Sequence, residues 1–256
     1  MANIDWTEYA LPSRGVLYDG KLPGGIVKIR KQTAREQARL MQQGGGMAGK
    51  IDAIVNSCLK LPDTFPDSKQ LLLTDRHAIL LALRTKTFGP DYEFDYRCRE
   101  CRAQVRGSVN IVEDLNEIVP SDDFVEPVVV KLPESNQTVH LRFLRGADEA
   151  QVAKNARRMK MQSNDADDPS YLLRLAIQVI DVEEVSDEER DKMKSLPFRQ
   201  RWVESLPAGD LLYLEDKLNA VEPGIDQRVY LECPQCDFDS EMSMPFTAEF
   251  FRPRRS

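Results

Sequence analysis

Two short stretches, Cys98-Arg99-Glu100-Cys101 and Cys233-Pro234-Gln235-Cys236, restrict what this chain can fold into more than anything else in it. Each is a C-x-x-C pair with strand-like sequence on both sides, and together they use four of the five cysteines. A closed structural zinc site needs four ligands in a tetrahedron, and one C-x-x-C supplies two. The two pairs therefore predict one shared, zinc-ribbon-like site tying the front of the chain to the back. Its ligands are Cys98, Cys101, Cys233 and Cys236, with one structural Zn2+ per chain. The alternatives are two separate reduced dithiols, or zinc ions bridged between chains. A redox C-x-x-C opens a helix after a strand, where the helix N-terminus lowers a thiol pKa. Both pairs here lie between strands. Zinc knuckles often place glycine just after the second cysteine, where φ is positive. Arg102 and Asp237 stand there instead.

The distance between the pairs is itself informative. A displacement of 135 positions superposes Cys98 on Cys233 and Cys101 on Cys236, and also Asp75 on Asp210, Leu83 on Leu218, Gly89 on Gly224 and Asp91 on Asp226. Each half then reads helix, Gly-x-Asp turn, strand, C-x-x-C, strand, the signature of an internal repeat. Upstream, Val27-Lys-Ile-Arg30 matches Val139-His-Leu-Arg142 at a displacement of 112, so the second half carries extra residues in between, expected to include the acidic region 163–191. The expected fold is α+β, with two pseudo-equivalent repeats joined at the cysteines. The boundaries are an N-terminal arm over 1–25, a first repeat over 26–120, and a second repeat with a C-terminal tail over 121–256.

Along the chain, Leu11-Pro-Ser-Arg-Gly15 and Leu22-Pro-Gly-Gly25 mark turns in an extended arm. Tyr9, Leu11, Val16, Leu17 and Tyr18 are suited to dock it on the body or on a neighbour. Val27 and Ile29 alternate with Lys28 and Arg30 in a strand over 26–31. Thr33-Ala-Arg-Glu36 matches a capping box opening a helix that stops at Gly44-Gly45-Gly46. Ile51, Ile54, Val55, Cys58 and Leu59 form one face of a helix over 48–59, which makes Cys58 a buried structural thiol in preference to a nucleophile. A helix over 76–85, strands over 92–97 and 103–109, and a linker over 113–123 follow. The second half is expected to hold a hairpin of strands 125–132 and 138–144, a helix from 147 broken at 163–169, and a helix over 171–182. A short acidic helix within 183–191, a helix over 211–221 and strands around the second knuckle complete it.

The chemistry that is missing narrows function. The two histidines, His77 and His140, are not needed when all four ligands are cysteine. There is no Gly-x-Ser-x-Gly, Walker loop or dinucleotide fingerprint. A zinc closed by four thiolates has no open position and cannot activate water. The expectation is a protein that is not an enzyme. The net charge of −7 argues against nucleic acid as the main partner, despite basic clusters at Arg97 to Arg106, Arg157 to Lys160 and Arg252 to Arg255. A zinc-ribbon nucleic-acid adaptor remains the competing class. The longest apolar run, Ala78 to Leu83, is too short to span a bilayer. With no secretory signal at the N-terminus, the protein is expected to stay in a reducing cytoplasm, where paired cysteines favour metal over disulfides.

Leu11-Pro-Ser-Arg-Gly-Val-Leu-Tyr18, Val27-Lys-Ile-Arg30 and the Thr-x-x-Glu helix resemble the opening of the bacteriophage base plate protein family of contractile-tailed phages. More specific are Leu71-Leu-Leu-Thr-Asp-Arg-His-Ala-Ile-Leu-Leu-Ala-Leu-Arg84, then Phe88-Gly-Pro-Asp-Tyr-Glu-Phe94 and Cys98-x-x-Cys101. The closing Cys-Pro-x-Cys is similar too. The resemblance implies a baseplate hub component, or a factor that assembles the hub and is absent from the virion. It implies other baseplate or tail proteins as partners, or further copies of this chain, and a location in the virion baseplate if the protein is retained. It carries over no catalytic residues. The arm and the tail Phe250 to Ser256 are the expected contact segments.

Overall fold

The computed structural model describes residues 5–41, 47–162, 168–246 and 248–251. The expected glycine stop at 44–46, most of the acidic break at 163–169, and the tail beyond Phe251 lie outside the described residues.

The first half begins with strand β1 (Thr7–Ala10), which pairs antiparallel with β2 (Ile26–Ile29). Helices α1 (Ala34–Met41) and α2 (Met47–Cys58) follow, and α2 runs straight into β3 (Leu59–Lys60) on the far edge of β2. The expected arm is thus, from Thr7 on, part of the fold. Leu11, Tyr18 and Leu22 are buried in the main core, each contributing roughly 1.5–3 kcal/mol of transfer free energy. The loop between β1 and β2 closes on itself through Leu11 N–H donating to Gly25 O at 3.0 Å. It is pinned by Asp75, whose carboxylate accepts from Ser13 N (3.0 Å), Ser13 Oγ (2.6 Å) and Tyr18 OH (2.6 Å).

Asp75 lies in the first turn of α3 (Leu73–Phe88), which starts three residues earlier than the sequence suggests. Gly89 closes α3 at φ 92, a left-handed conformation that suits glycine. The buried Arg84 donates to Gly89 O and Asp91 O, both at 2.8 Å, and so sets the exit into β4 (Asp91–Arg97). β4 and β5 (Gln104–Asn110) form a seven-residue hairpin with buried and exposed residues in strict alternation. Within the expected linker a short β6 (Glu117–Ile118) pairs antiparallel with Gly224 and Ile225, much later in the chain.

The second half opens with β7 (Val128–Lys131), β8 (Thr138–Leu141) and helix α4 (Gly146–Gln162). The sequence suggests a continuous helix over 171–182. Instead α5 (Ser170–Gln178) ends at Gln178 and β9 (Val179–Val182) begins at once. Val179 and Val182 are buried, and β9 adds to β8. The β-branched side chains and a vacant sheet edge outweigh the helical spacing of the apolar residues there. α6 (Asp187–Lys192) is exposed and opens with a full capping box between Ser186 and Glu189. α7 (Leu196–Glu204), which packs on α5, was not expected from the sequence. α8 (Ala208–Val221), β10 (Gly224–Ile225), the hairpin β11 (Arg228–Glu232) and β12 (Asp239–Ser243), and α9 (Ala248–Phe251) complete the described chain. The architecture is mixed helix and sheet, with small antiparallel sheets.

Both three-stranded sheets have their strands in chain order, β1-β2-β3 and β7-β8-β9. Several contacts are made in each. Arg30 N donates to Cys58 O at 3.0 Å, and Arg142 N to Gln178 O at 2.9 Å. Arg30 forks onto Glu36 at 3.1 and 3.3 Å, and Arg142 onto Asp148 at 2.7 and 2.8 Å. Thr33 N donates to Glu36 and Arg145 N to Asp148, each at 2.7 Å. Asp210, in the first turn of α8, accepts from Glu134 N and Ser135 N at 2.8 Å, as Asp75 does from Ser13.

Candidate metal centre

Each C-x-x-C is the turn of a hairpin, and the two turns are built alike. Cys98 N donates to Ala103 O and Cys233 N to Phe238 O, both at 3.0 Å. Arg102 N donates back to Cys98 O at 3.2 Å, and Asp237 N to Cys233 O at 2.8 Å. Closing the turn this way drives Arg102 to φ 64 and Asp237 to φ 54, the left-handed backbone that glycine would occupy at lower cost. The two residues that depart from the expected glycines thus adopt the glycine conformation.

The two hairpins pack against each other beside their cysteine turns. Tyr96 OH reaches Glu232 O at 3.5 Å across the joint. Gly107 of β5 allows close approach: a Cβ there would sit 3.1 Å from Leu231 Cδ1 and 3.3 Å from Tyr96 Cε1. The end of the chain braces the same joint. Tyr92 OH donates to Pro245 O at 2.8 Å, and the Tyr92 ring meets Phe250 edge-on, centroids 5.1 Å apart.

The four expected ligands are brought together. Cys98 Sγ lies 3.8 Å from Cys236 Sγ, and Cys101 Sγ 3.7 Å from Cys233 Sγ. All four sulfurs lie within 4.8 Å of one another. Four sulfurs at about 2.3 Å from a central zinc would stand roughly 3.8 Å apart along the edges of a tetrahedron. The donor set and spacing therefore fit a metal ion held by four thiolates. Cys98 and Cys233 are buried, Cys236 is half-buried and Cys101 is exposed, so the site lies just below the surface.

The thiols respond to their crowding in opposite ways. Burial alone would raise Cys98, but the backbone amides of Cys101 and Glu100 and the thiols of Cys233 and Cys101 outweigh it and bring it down to about 7. At Cys236 the Phe238 amide lowers the pKa. Burial and hydrogen bonding with Cys101, Cys233 and Cys98 prevail, pushing it up to about 12. Neighbouring thiols resist ionising together unless a cation is shared among them. The fifth cysteine, Cys58, is fully buried far along α2, and burial raises it to about 11, the state of a packing thiol.

Other residues that shape the fold carry weaker signals in the sequence. Asp75 and Asp210 superpose by displacement, and each holds a loop distant in sequence. The signal was present in Leu11-Pro12-Ser13 and Leu132-Pro133-Glu134, two Leu-Pro loops ahead of matching strands. Gly107 carried no signal at all. Among the described residues no helix is long and apolar enough to cross a membrane.

Fold and site together define a mixed helix-and-sheet protein whose distant hairpins converge on a four-thiol centre able to hold a metal ion. The chain belongs to the T4 bacteriophage base plate protein family, whose model matches residues 15–252, nearly the whole chain. Comparisons with curated proteins and with solved structures returned no match. Family membership supports a structural role in the phage baseplate, with other phage tail proteins as partners.

Proposed function

We propose that this chain is a non-catalytic structural or assembly component of the baseplate hub, an internally duplicated scaffold stapled by one zinc. The observation that carries the reading is the convergence of two C-x-x-C turns, 135 positions apart, into one cluster of four sulfurs within 4.8 Å. Structural zinc contributes about 10–16 kcal/mol to the folding of small sites of this type, enough to hold two halves in one relative placement. The repeated sheet order, the two Arg–carboxylate forks and the two buried aspartates at helix starts favour duplication. On that reading α6 and α7 account for part of the extra length of the second repeat. A centre closed by four thiolates offers no open position for substrate, which favours scaffolding over catalysis.

Purified protein is expected to hold about one zinc per chain, and Cys98→Ser or Cys233→Ser each to abolish it. Full zinc in either single variant would sink the shared site. The hub assignment has its own test, mass spectrometry of purified virions together with partner capture during assembly. A hub component appears in the virion. A factor that joins hub proteins only during assembly is absent from it, and the transient-chaperone reading then replaces the first.

A further inference from the structure

The two knuckles converge on the metal centre but carry opposite charge. The first presents Arg97, Arg99 and Arg102, with Glu100 as its one acid, all exposed. The second presents Glu232, Asp237 and Asp239, all exposed, with no cation between Arg228 and the end of the hairpin. Although the tips lie side by side, no ion pair joins them among the described residues. Among the described residues, the side-chain hydrogen bond these arginines make is Arg97 Nε donating to Arg102 O, within the same knuckle, at 3.0 Å. Two further features are costly for a surface facing only water. Glu232 stands directly opposite Asp239 across β11 and β12, a like-charge pairing that destabilises a hairpin. Beside it Tyr230 is 75% exposed and Phe238 37% exposed.

We propose that this tip is a self-association surface, on which a second copy of the chain docks about a two-fold axis, its basic knuckle against the acidic knuckle of the first. A patch holding adjacent positive and negative lobes is self-complementary under a two-fold rotation, so both contacts form at once and the assembly closes as a dimer. The unpaired charges gain partners, the Glu232–Asp239 repulsion is relieved by the partner's arginines, and Tyr230 and Phe238 supply the apolar part. Nucleic acid fits less well, since phosphates approaching the arginines meet the acidic knuckle beside them. A metal held by four thiolates adds charge at the joint between the knuckles and leaves the difference between their tips intact.

The test uses the full-length protein as purified, with its metal content measured in the same preparation, so that loss of the metal reading shows separately. Sedimentation equilibrium at about 0.05 M and about 0.5 M salt is expected to give a dimer at low salt that dissociates at high salt. Arg99→Glu with Arg102→Glu, and separately Glu232→Lys with Asp239→Lys, are each expected to weaken the dimer about a hundredfold or more. An equimolar mixture of the two double variants restores a dimer, because a mainly acidic tip then meets a mainly basic one. Arg99→Gln with Arg102→Gln serves if charge reversal impairs folding, with a smaller loss expected. A wild-type monomer at low salt and about 0.1 mM protein overturns the proposal, as does a dimer indifferent to these changes or a mixture that stays monomeric. Binding of a single-stranded oligonucleotide that Arg99→Glu with Arg102→Glu abolishes, in a protein that stays monomeric, overturns it in favour of the nucleic-acid reading.

Discussion

Arg102 shows how one side chain bears the geometry of a C-x-x-C turn. At φ 64 an L-residue crowds its own carbonyl, a cost of about 1–2 kcal/mol that glycine avoids. Glycine in turn loses about 0.5–1 kcal/mol more backbone entropy on folding. Arg102→Gly is therefore expected to stabilise the protein by about 0.5–1 kcal/mol, read as a higher denaturant midpoint at unchanged slope. Asp237 at φ 54 adopts the same conformation, but aspartate tolerates it well, so Asp237→Gly is expected to move the midpoint little. A loss of stability in Arg102→Gly would mean that the side chain makes contacts outweighing the backbone strain. The cysteines themselves were legible in the sequence because metal chemistry demands four ligands however far apart they lie. The conformation of Arg102 and Asp237 was legible only as a departure from the glycine usual at those positions.

Helices α3 and α8 begin with an aspartate that holds the loop of a neighbouring sheet, but the two carboxylates sit in different settings. Asp75 is fully buried and accepts from Ser13 N, Ser13 Oγ and Tyr18 OH; burial raises its pKa in spite of these bonds. Asp210 is also buried, but its donors are the amides of Glu134 and Ser135 at the surface, and they overcome burial to hold its pKa below the ordinary range. The two therefore act oppositely with pH. The stability due to Asp210 is present above its unfolded pKa and lost on acidification; that due to Asp75 is present at low pH and declines as pH rises. Asp75→Ala leaves buried hydroxyls of Ser13 and Tyr18 without their acceptor and is expected to cost about 3 kcal/mol by chemical denaturation. Asp210→Ala frees amides that water reaches and should cost about 1 kcal/mol, as for loss of a helix cap. Equal losses would show that the environments do not differ as described. Helix ends of this sort were partly readable: Thr33-x-x-Glu36 does start α1, with Thr33 N donating to Glu36 at 2.7 Å. Ser195-Leu-Pro197 also carries the signal for the start of α7, a serine cap with proline in the first turn. Misreading β9 as the end of α5 has a different origin, because only the sheet edge offered by β8 decides it, and that edge comes from residues far away in sequence.

For the molecule as a whole the sequence could suggest two halves meeting at four cysteines, since that rests on spacing, but not how charge is distributed where the halves pack. Glu222 follows α8, and the charges of Asp75, in the first turn of α3, and of Glu126, just before β7, both act on it. Burial first, then the charges of Asp75 and Glu126, raises Glu222 from 4.5 to about 7. Arg145 forks onto Glu126 at 2.9 and 3.1 Å. Because the folded pKa of Glu222 lies above its unfolded value, its contribution is greatest when the carboxyl is protonated, below about pH 4.5, and is lost as pH rises through 7. A shift of this size corresponds to at most about 3 kcal/mol. The wild-type protein should therefore lose stability between about pH 5.5 and pH 8. Glu222→Gln keeps the shape of the protonated acid and cannot ionise, so its stability should fall less steeply over that window and exceed that of the wild type at pH 8. Asp75 is still present in the variant and, being raised as well, is expected to leave a residual slope of the same sign. Urea unfolding of both proteins at matched metal content across these pH values measures the difference directly. Parallel curves for the two proteins would show that Glu222 meets no electrostatic opposition from Asp75 and Glu126.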